Sequence, residues 1–528
     1  MAEKILLDGK SLNLDKIINV VRHEALIDIS SEAREKINAS SQYVEDLVKN
    51  NEIAYGITTG YGPLVNRLIP QEKAAELQYK LIHMLSGGIG NPLSIPVAQA
   101  IQLIRLNSLC KGYSGIRLST LQTLCNMINK DIVAFIPETG SVGASGDLCP
   151  LAHMVQSMIG EGKVFYKGEL KEARHALEMA GISPVKLSYK EGLALINGTT
   201  VMSGMFALAL QDVKELTLLA EGCAAFATDI LRGNPEHFDL RIAKIRPHAG
   251  QFKTSENLLK FVQNSQLYID GERLRDLLLK ARGKSQKVLK VETDLQNPYS
   301  IRCVPQIIGA VRDLLTFVEN LLEVEINAVT DNPLVFAEDK ETLHGGNFYG
   351  QHISFACDIL ALGIAKLALL SERRFARYID EKFNQGLPAF LVKGDEAGFE
   401  NGFMGVQMIT TALASEIRNL ANTASISTIP TNANNQDVVS MGTPAAQKLL
   451  PMIEKTQSLF SYELLALSQA AEFRGIDKLG NASKALYDAI RKVVAPLTSD
   501  RPFRPDIEAV VKIMKEGQLD QKLQNLLN

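Results

Sequence analysis

Two regimes of hydrophobic patterning divide the chain. From about residue 200 to 475, apolar residues recur at helical spacing with few breakers, whereas residues 1 to about 200 read as short helices separated by glycine-rich loops. In "HISFACDILALGIAKLALLSERRFARYIDEKF", Ile353, Ala356, Leu360, Ile364 and Leu367 share one face, and Phe355, Ile359 and Leu362 share another. A helix apolar on most sides for several turns is predicted to lie inside a bundle, not on a surface. Similar stretches recur at "GVQMITTALASEIRNLANTASI" and "EKTQSLFSYELLALSQAAEF". Strand and helix units do not alternate, so the expected class is all-α and no parallel sheet is predicted. The charged stretch "ERLRDLLLKARGKSQKVLKVETDLQNP" reads as an exposed excursion, and "SDRPFRPD" marks a break before the last helix. Three consecutive regions follow: a loop-rich part over 1–200, a central long-helix bundle over 201–475 and a helical tail over 476–528.

With 528 residues, 46% of them hydrophobic, the chain can bury a large core. Its formal charge of -3 is interspersed, with no basic stripe for nucleic acid or an anionic membrane, so the expected partner is a small molecule. Cys110, Cys125, Cys149, Cys223, Cys303 and Cys357 stand far apart, a pattern of reduced thiols, most of them in the core. The N-terminal "MAEKILLDGKSLNLDK" has no signal-peptide h-region, and a cytoplasmic location is expected. The uncharged run "LALINGTTVMSGMFALALQ" carries Asn197, Gly198, Thr199, Thr200, Ser203 and Gly204. Those residues predict a buried polar loop entering a helix and not a membrane span. None of the eight histidines forms a tight ligand set, so no metal is expected. His153 reads as a structural histidine, and "GGIG" at 87–90 reads as a turn, since it lacks the lysine of a phosphate loop.

The least helical stretch, "ETGSVGASGDLCPLAHM" at 138–154, has three readings. Small residues favour a surface turn. A nucleophile elbow would place Ser145 at a strand-to-helix turn, but Asp147 stands where that pattern needs glycine. Alternatively, attack of the Gly146 nitrogen on the Ala144 carbonyl with loss of two waters would yield an imidazolinone ring with an exocyclic methylene from Ser145. The small Ala144 and Gly146 suit so strained a turn. That product is an electrophile suited to making an amine into a leaving group.

"GSVGASGDLCPLAHM" resembles the segment of the ammonia-lyases and aminomutases that forms the 4-methylideneimidazol-5-one (MIO) group. The likeness continues at "YGITTGYG" (55–62), "EGLALINGTTVMSG" (191–204), "YSIRCVPQ" (299–306), "DNPLV" (331–335), "HGGNFYGQ" (344–351) and "NNQDVVSMG" (434–442). The resemblance implies an all-α fold, an MIO formed autocatalytically from Ala144, Ser145 and Gly146, and a homotetramer whose active sites are shared between subunits. By position it also makes Tyr55 the catalytic tyrosine, on a loop with Gly56, Gly60 and Gly62 that could close over a ligand. Arg302, beside Tyr299, is the expected clamp on an α-carboxylate, for which a planar guanidinium is well shaped. Asn197 would serve a ligand or the MIO carbonyl, and Phe348, Asn432, Asn435 and Gln436 match further site residues. Tyr61, where phenylalanine is a common counterpart, and Tyr349, where a histidine often stands, depart from the pattern.

Within the resemblance, substrate choice falls on Met84 and Leu85 in "YKLIHMLSGGIG". The family's histidine enzymes generally present Ser-His there, tyrosine enzymes His-Leu and phenylalanine enzymes Phe-Leu. An apolar Met-Leu pair predicts an aromatic amino acid with an unsubstituted ring, so phenylalanine is expected first and tyrosine next. In another local register His83 would reach a phenol. Gln436 stands where histidine enzymes carry a glutamate, which speaks against histidine. The expected activity is elimination of ammonia to a trans-cinnamate. A 2,3-aminomutase giving a β-amino acid is the first alternative, histidine ammonia-lyase the next, and a non-catalytic helical scaffold the last.

Overall fold

A computed structural model describes residues 4–290, 296–394 and 396–528. Helices dominate, and the strands form only small sheets of two or three. Residues cluster into two compact units. The first comprises Met1–Gln211, Val318–Ile359 and Thr423–Leu450, the second Asp212–Phe317, Leu360–Asn422 and Pro451–Asn528. The division falls within the helices Thr200–Ile230, Val304–Glu325, Gln351–Ile379 and Leu449–Arg474.

In the first unit, the polar run at 197–199 enters a helix as expected: Glu191–Ile196 ends at Asn197 and Thr200–Ile230 begins three residues on. The helix Gln71–Leu85 starts after Pro70 and stops before Ser86, Gly87 and Gly88, where helix propensity collapses. Val44, Leu47, Val48, Ala54, Ile57 and Val335 form a buried cluster. Ala54 and Ile57 flank Tyr55, so this packing holds the base of its loop.

Two expectations for this unit need correction. Ile5–Leu7 and Ile27–Ile29 form a parallel pair joined by the helix Leu14–His23, a small strand-helix-strand unit. Its strands are three residues each, too short for alternation to register in the sequence. "GGIG" is only partly a turn, because Ile89–Pro92 pairs antiparallel with Pro137–Thr139. His153 is satisfied as expected: its Nε2 accepts the Gly88 N–H at 3.1 Å, and burial lowers its pKa.

In the helix Gln351–Ile379, Ile353, Ala356, Leu360, Ile364 and Leu367 are buried, but Phe355 and Leu362 are 48% and 54% exposed. The expectation of a helix enclosed all round therefore holds for one face only. This helix alone among the described residues is long and apolar enough to cross a membrane, and 72% of its most apolar window is buried.

The second unit buries charge in matched sets. Arg374 and Glu463 pair at 2.6 Å with both side chains fully buried, and Tyr378 donates to the same carboxylate at 2.9 Å. Glu221 accepts from Thr254, Asn257 and Arg312. The charged excursion is exposed from Glu272 to Lys290 apart from the buried Leu274 and the partly covered Leu278, and residues 291–295 of it lie outside the described residues. Two helices follow the break where one was expected: Arg504–Lys515, with a proline in its first turn, and Gln518–Leu527.

Asp520, half-buried in the helix Gln518–Leu527, has its pKa pushed up to about 6, first by burial and then by Glu215. The folded state thus favours the protonated carboxyl. This contribution is fully present below the unfolded value near 3.8 and is lost as pH rises through about 6. Asp520→Asn is expected to stabilise the protein by about 1 kcal/mol at pH 8, allowing for solvent screening, and to change little at pH 4. Thermal melts at the two pH values test this; equal shifts at both would count against it.

Candidate active site

Ala144, Ser145 and Gly146 form a turn tight enough that Ala144 and Gly146 bridge each other, and Gly146 also bridges Gly198. Gly146 has φ +62°, and a Cβ there would lie 2.2 Å from the Gly198 carbonyl oxygen. No other residue fits this approach. Asp147 N–H donates to that same oxygen at 2.8 Å, closing the pairing.

The Asp147 side chain holds the turn against the start of the next long helix. It accepts the N–H groups of Val201 and Met202 at 3.1 and 2.9 Å, along with the Ser141 hydroxyl at 3.1 Å and the Thr443 hydroxyl. Free N–H groups at a helix start favour a carboxylate. Burial nevertheless raises the Asp147 pKa, and the hydrogen bonds only partly offset that effect. The Ser440 hydroxyl donates to the Gly143 carbonyl at 2.7 Å, joining the segment after the asparagine-rich motif to the same turn.

Asn197 meets the turn from the other side. Its Nδ2 donates to the Ser145 carbonyl oxygen and lies equally near Ser145 Oγ, both at 3.0 Å. Its Oδ1 is buried and has no hydrogen-bond partner among the described residues. A buried acceptor left open is costly unless something else completes it. The residues present therefore fit formation of an MIO: a turn bringing Ala144 to Gly146, and a buried amide on the ring's future carbonyl.

Tyr55 sits half-buried on its loop, with its phenol oxygen accepting the Gly62 N–H at 3.0 Å. Its ring meets His344 edge-on at 6.2 Å between centroids. Asn432 packs against the same loop, its Nδ2 2.6 Å from where a Cβ on Gly62 would lie. One fully buried side chain, Gln78, ties this region together. Its Nε2 donates to the Gly56 carbonyl at 3.2 Å and to the Tyr61 hydroxyl at 3.0 Å, while its Oε1 accepts the Leu193 N–H at 3.1 Å. Burial raises the Tyr61 pKa, so its hydroxyl stays neutral. Gln78 escaped the sequence reading, although a glutamine one turn from buried Ala74, Leu81 and Ile82 was the available signal.

Asn432, Ala433 and Asn434 all adopt left-handed backbone, with φ of 53°, 53° and 60°. Thr431 and Gln436 pair across the base of this turn, at 3.0 and 3.3 Å. Asparagine tolerates this region better than most residues, but the alanine does not, so the turn stores strain. Asn435 is exposed on it and Gln436 half-buried, while Phe348 is half-buried on its own loop.

Met84 and Leu85 form the last turn of the helix Gln71–Leu85, with Met84 68% exposed and Leu85 partly covered. His83 pairs with Glu161 at 2.9 Å, and this partner occupies the imidazole that another register would have aimed at a phenol. Tyr299 and Arg302 belong to the second unit, in the short helix Tyr299–Arg302. There the guanidinium lies over the Tyr299 ring at 4.9 Å, and its Nε donates to the Asn297 carbonyl at 3.2 Å. Its Nη1 and Nη2 make no hydrogen bond or ion pair among the described residues.

A family model for aromatic amino acid lyases matches residues 12–492. The histidine ammonia-lyase of Caldanaerobacter subterraneus subsp. tengcongensis is 40% identical, covering 99% of this chain and 98% of its own. Among solved structures, tyrosine aminomutase from Streptomyces globisporus matches with a TM-score of 0.95 and 37% identity over 99% of both chains. Histidine ammonia-lyase from Trypanosoma cruzi matches with a TM-score of 0.88 and 32% identity over 99% of this chain and 96% of that one. With a likeness that runs nearly end to end and an Ala-Ser-Gly turn already folded back on itself, the chain belongs to the aromatic amino acid lyase family and is a carbon–nitrogen lyase.

Proposed function

We propose that this chain is an MIO-dependent ammonia-lyase whose first substrate is histidine. The observation that carries the ammonia-lyase reading is the bridged Ala144–Gly146 turn with Asn197 Nδ2 on the Ser145 carbonyl. The ring, once formed, supplies an electrophile that makes the substrate's amine a better leaving group. Tyr55 takes the β-proton, with its oxygen fixed by the Gly62 N–H, and Arg302 holds the α-carboxylate. The loop carrying Tyr55 excludes water around the reacting carbons.

Phenylalanine, expected first from Met84 and Leu85, gives way to histidine because relatives at 40% identity over 99% of the chain are named histidine ammonia-lyases. Gln436 argues less strongly against histidine than its lack of charge suggested. A neutral imidazole has one donor and one acceptor, and a carboxamide offers the complement of each. What Gln436 cannot do is stabilise an imidazolium. Gln436→Glu is therefore expected to raise kcat/KM for histidine roughly tenfold, more at pH 6 than at pH 9, and to lower it for phenylalanine. An unchanged histidine-to-phenylalanine ratio would remove Gln436 from the ring pocket.

A second reading is a 2,3-aminomutase, supported by the likeness to the Streptomyces globisporus enzyme. Incubating the protein separately with histidine, phenylalanine and tyrosine, then separating unsaturated acids from β-amino acids, tests both. Urocanate formed fastest supports the first reading, and β-amino acid as main product the second. Cinnamate formed fastest restores phenylalanine, and absence of product from all three sinks both readings. The exposed Phe355, Leu362 and Met408 support burial against further copies, in keeping with a homotetramer.

A further inference from the structure

Behind the Ala-Ser-Gly turn lies a fully buried arginine to which the reaction assigns no role. Arg105, on the helix Ile95–Leu109, donates from Nη2 to the Asn197 carbonyl at 2.8 Å and to the Ala194 carbonyl. Its Nε and Nη1 have no hydrogen-bond partner among the described residues. Lys190 and Asp331 pair with each other nearby at 2.6 Å, both buried, so the Asp331 carboxylate acts on Arg105 through space but makes its direct contact with Lys190. Burial pulls the Arg105 pKa down to about 10, which leaves it charged at neutral pH.

A Cβ on Gly198 would lie 2.2 Å from Arg105 Nη1 and 2.6 Å from Thr330 Oγ1, and a Cβ on Gly146 would lie 2.2 Å from the Gly198 carbonyl oxygen. Gly198 is thus in close approach to both the turn and the guanidinium. The carbonyls that Arg105 grips belong to Asn197, whose amide meets Ser145, and to Ala194 one turn before it. A fully buried cation with no direct ion pair among the described residues is expensive for a purely structural contact.

We propose that Arg105 is a positioning residue for MIO formation, the fixed backing against which Gly198 and Asn197 hold the turn while it cyclises. This rests on the MIO reading above. In the closure, Gly146 N bonds to the Ala144 carbonyl carbon. The Ala144 oxygen leaves as water with the protons of Gly146 N and Ser145 N, giving the ring's C=N bond. Ser145 then loses Oγ with its proton, together with the Cα proton, as a second water, giving the methylene. No oxidant is needed. Arg105 touches none of these atoms; it limits how far Gly198 and Asn197 can retreat as the ring closes.

The test is the intact mass of purified full-length Arg105→Gln and Arg105→Lys beside wild type, with circular dichroism and melting temperature recorded for each. Arg374→Gln serves as a comparator, since Arg374 is an equally buried arginine of the second unit, where Glu463 holds it. Folded Arg105→Gln should be mostly of encoded mass and lose its two waters slowly on incubation, with Arg105→Lys intermediate. Arg374→Gln should melt lower yet be fully two waters short. Complete water loss in folded Arg105→Gln would overturn the proposal, as would an equal shortfall in Arg374→Gln. Insolubility of both Arg105 variants would overturn it too, by assigning the residue to folding alone. If wild type itself has the encoded mass, the MIO reading fails first, and the two failures are thereby distinguished.

Discussion

Ser145→Ala is expected to give a folded protein of its encoded mass that eliminates ammonia slower than wild type by roughly 10³-fold or more. Wild type, in contrast, should weigh two waters less than its sequence. The reason is chemical: an alanine at 145 has no hydroxyl to lose, so the methylene cannot form even if the backbone closes. The surroundings should tolerate the change, because the side chain is only half-buried and its one close polar neighbour, Asn197 Nδ2, keeps the Ser145 backbone carbonyl as acceptor. Mass spectrometry and turnover on the same preparation settle the matter. An active wild type of encoded mass would return Ser145 to the reading as an ordinary nucleophile.

Tyr55→Phe is expected to lower kcat by about 10² to 10⁴ while KM changes only a few-fold. The phenol oxygen is fixed by the Gly62 N–H, and its loop is anchored by buried Ala54 and Ile57 and by Gln78 on the Gly56 carbonyl. Removing the oxygen should therefore delete the proton acceptor without moving the loop. The variant should still be two waters short, because no hydrogen bond from Tyr55 reaches the turn among the described residues. Wild-type turnover in Tyr55→Phe would exclude it as the base, and loss of the mass deficit would mean that the loop shapes the turn.

Chemistry that demands particular residue types was legible in the sequence. Ala144, Ser145 and Gly146 must be small, hydroxylated and without a side chain in that order, and Asn197 stood out as a polar group in an apolar run. The long helices were legible as well, since their periodicity spans several turns. What escaped depends on residues distant in sequence. Arg105 meets Asn197 across 92 positions, and Gln78 meets Leu193 across 115. Neither residue is unusual in its own helix. The His83 pairing with Glu161, across 78 positions, is hidden for the same reason, and so was the end of the reading that aimed His83 at a phenol. Substrate choice was read from Met84, Leu85 and Gln436, whereas the likeness to histidine ammonia-lyases, which favours the histidine alternative, is carried by the whole chain.

The amide of Gln78 has a consequence for how such an enzyme can be retuned. It locks its helix to the Tyr55 loop and to the segment leading into Asn197, yet Met84 and Leu85 lie six and seven residues further on, about 9 to 10 Å along the axis. Met84 is largely exposed there, at a helix end. If ring recognition falls on these two positions, as the resemblance implies, changes there alter that surface while the Tyr55 loop stays anchored upstream. On that assignment, selection, natural or in the laboratory, could explore new rings at 84 and 85 without rebuilding the loop that Gln78 anchors.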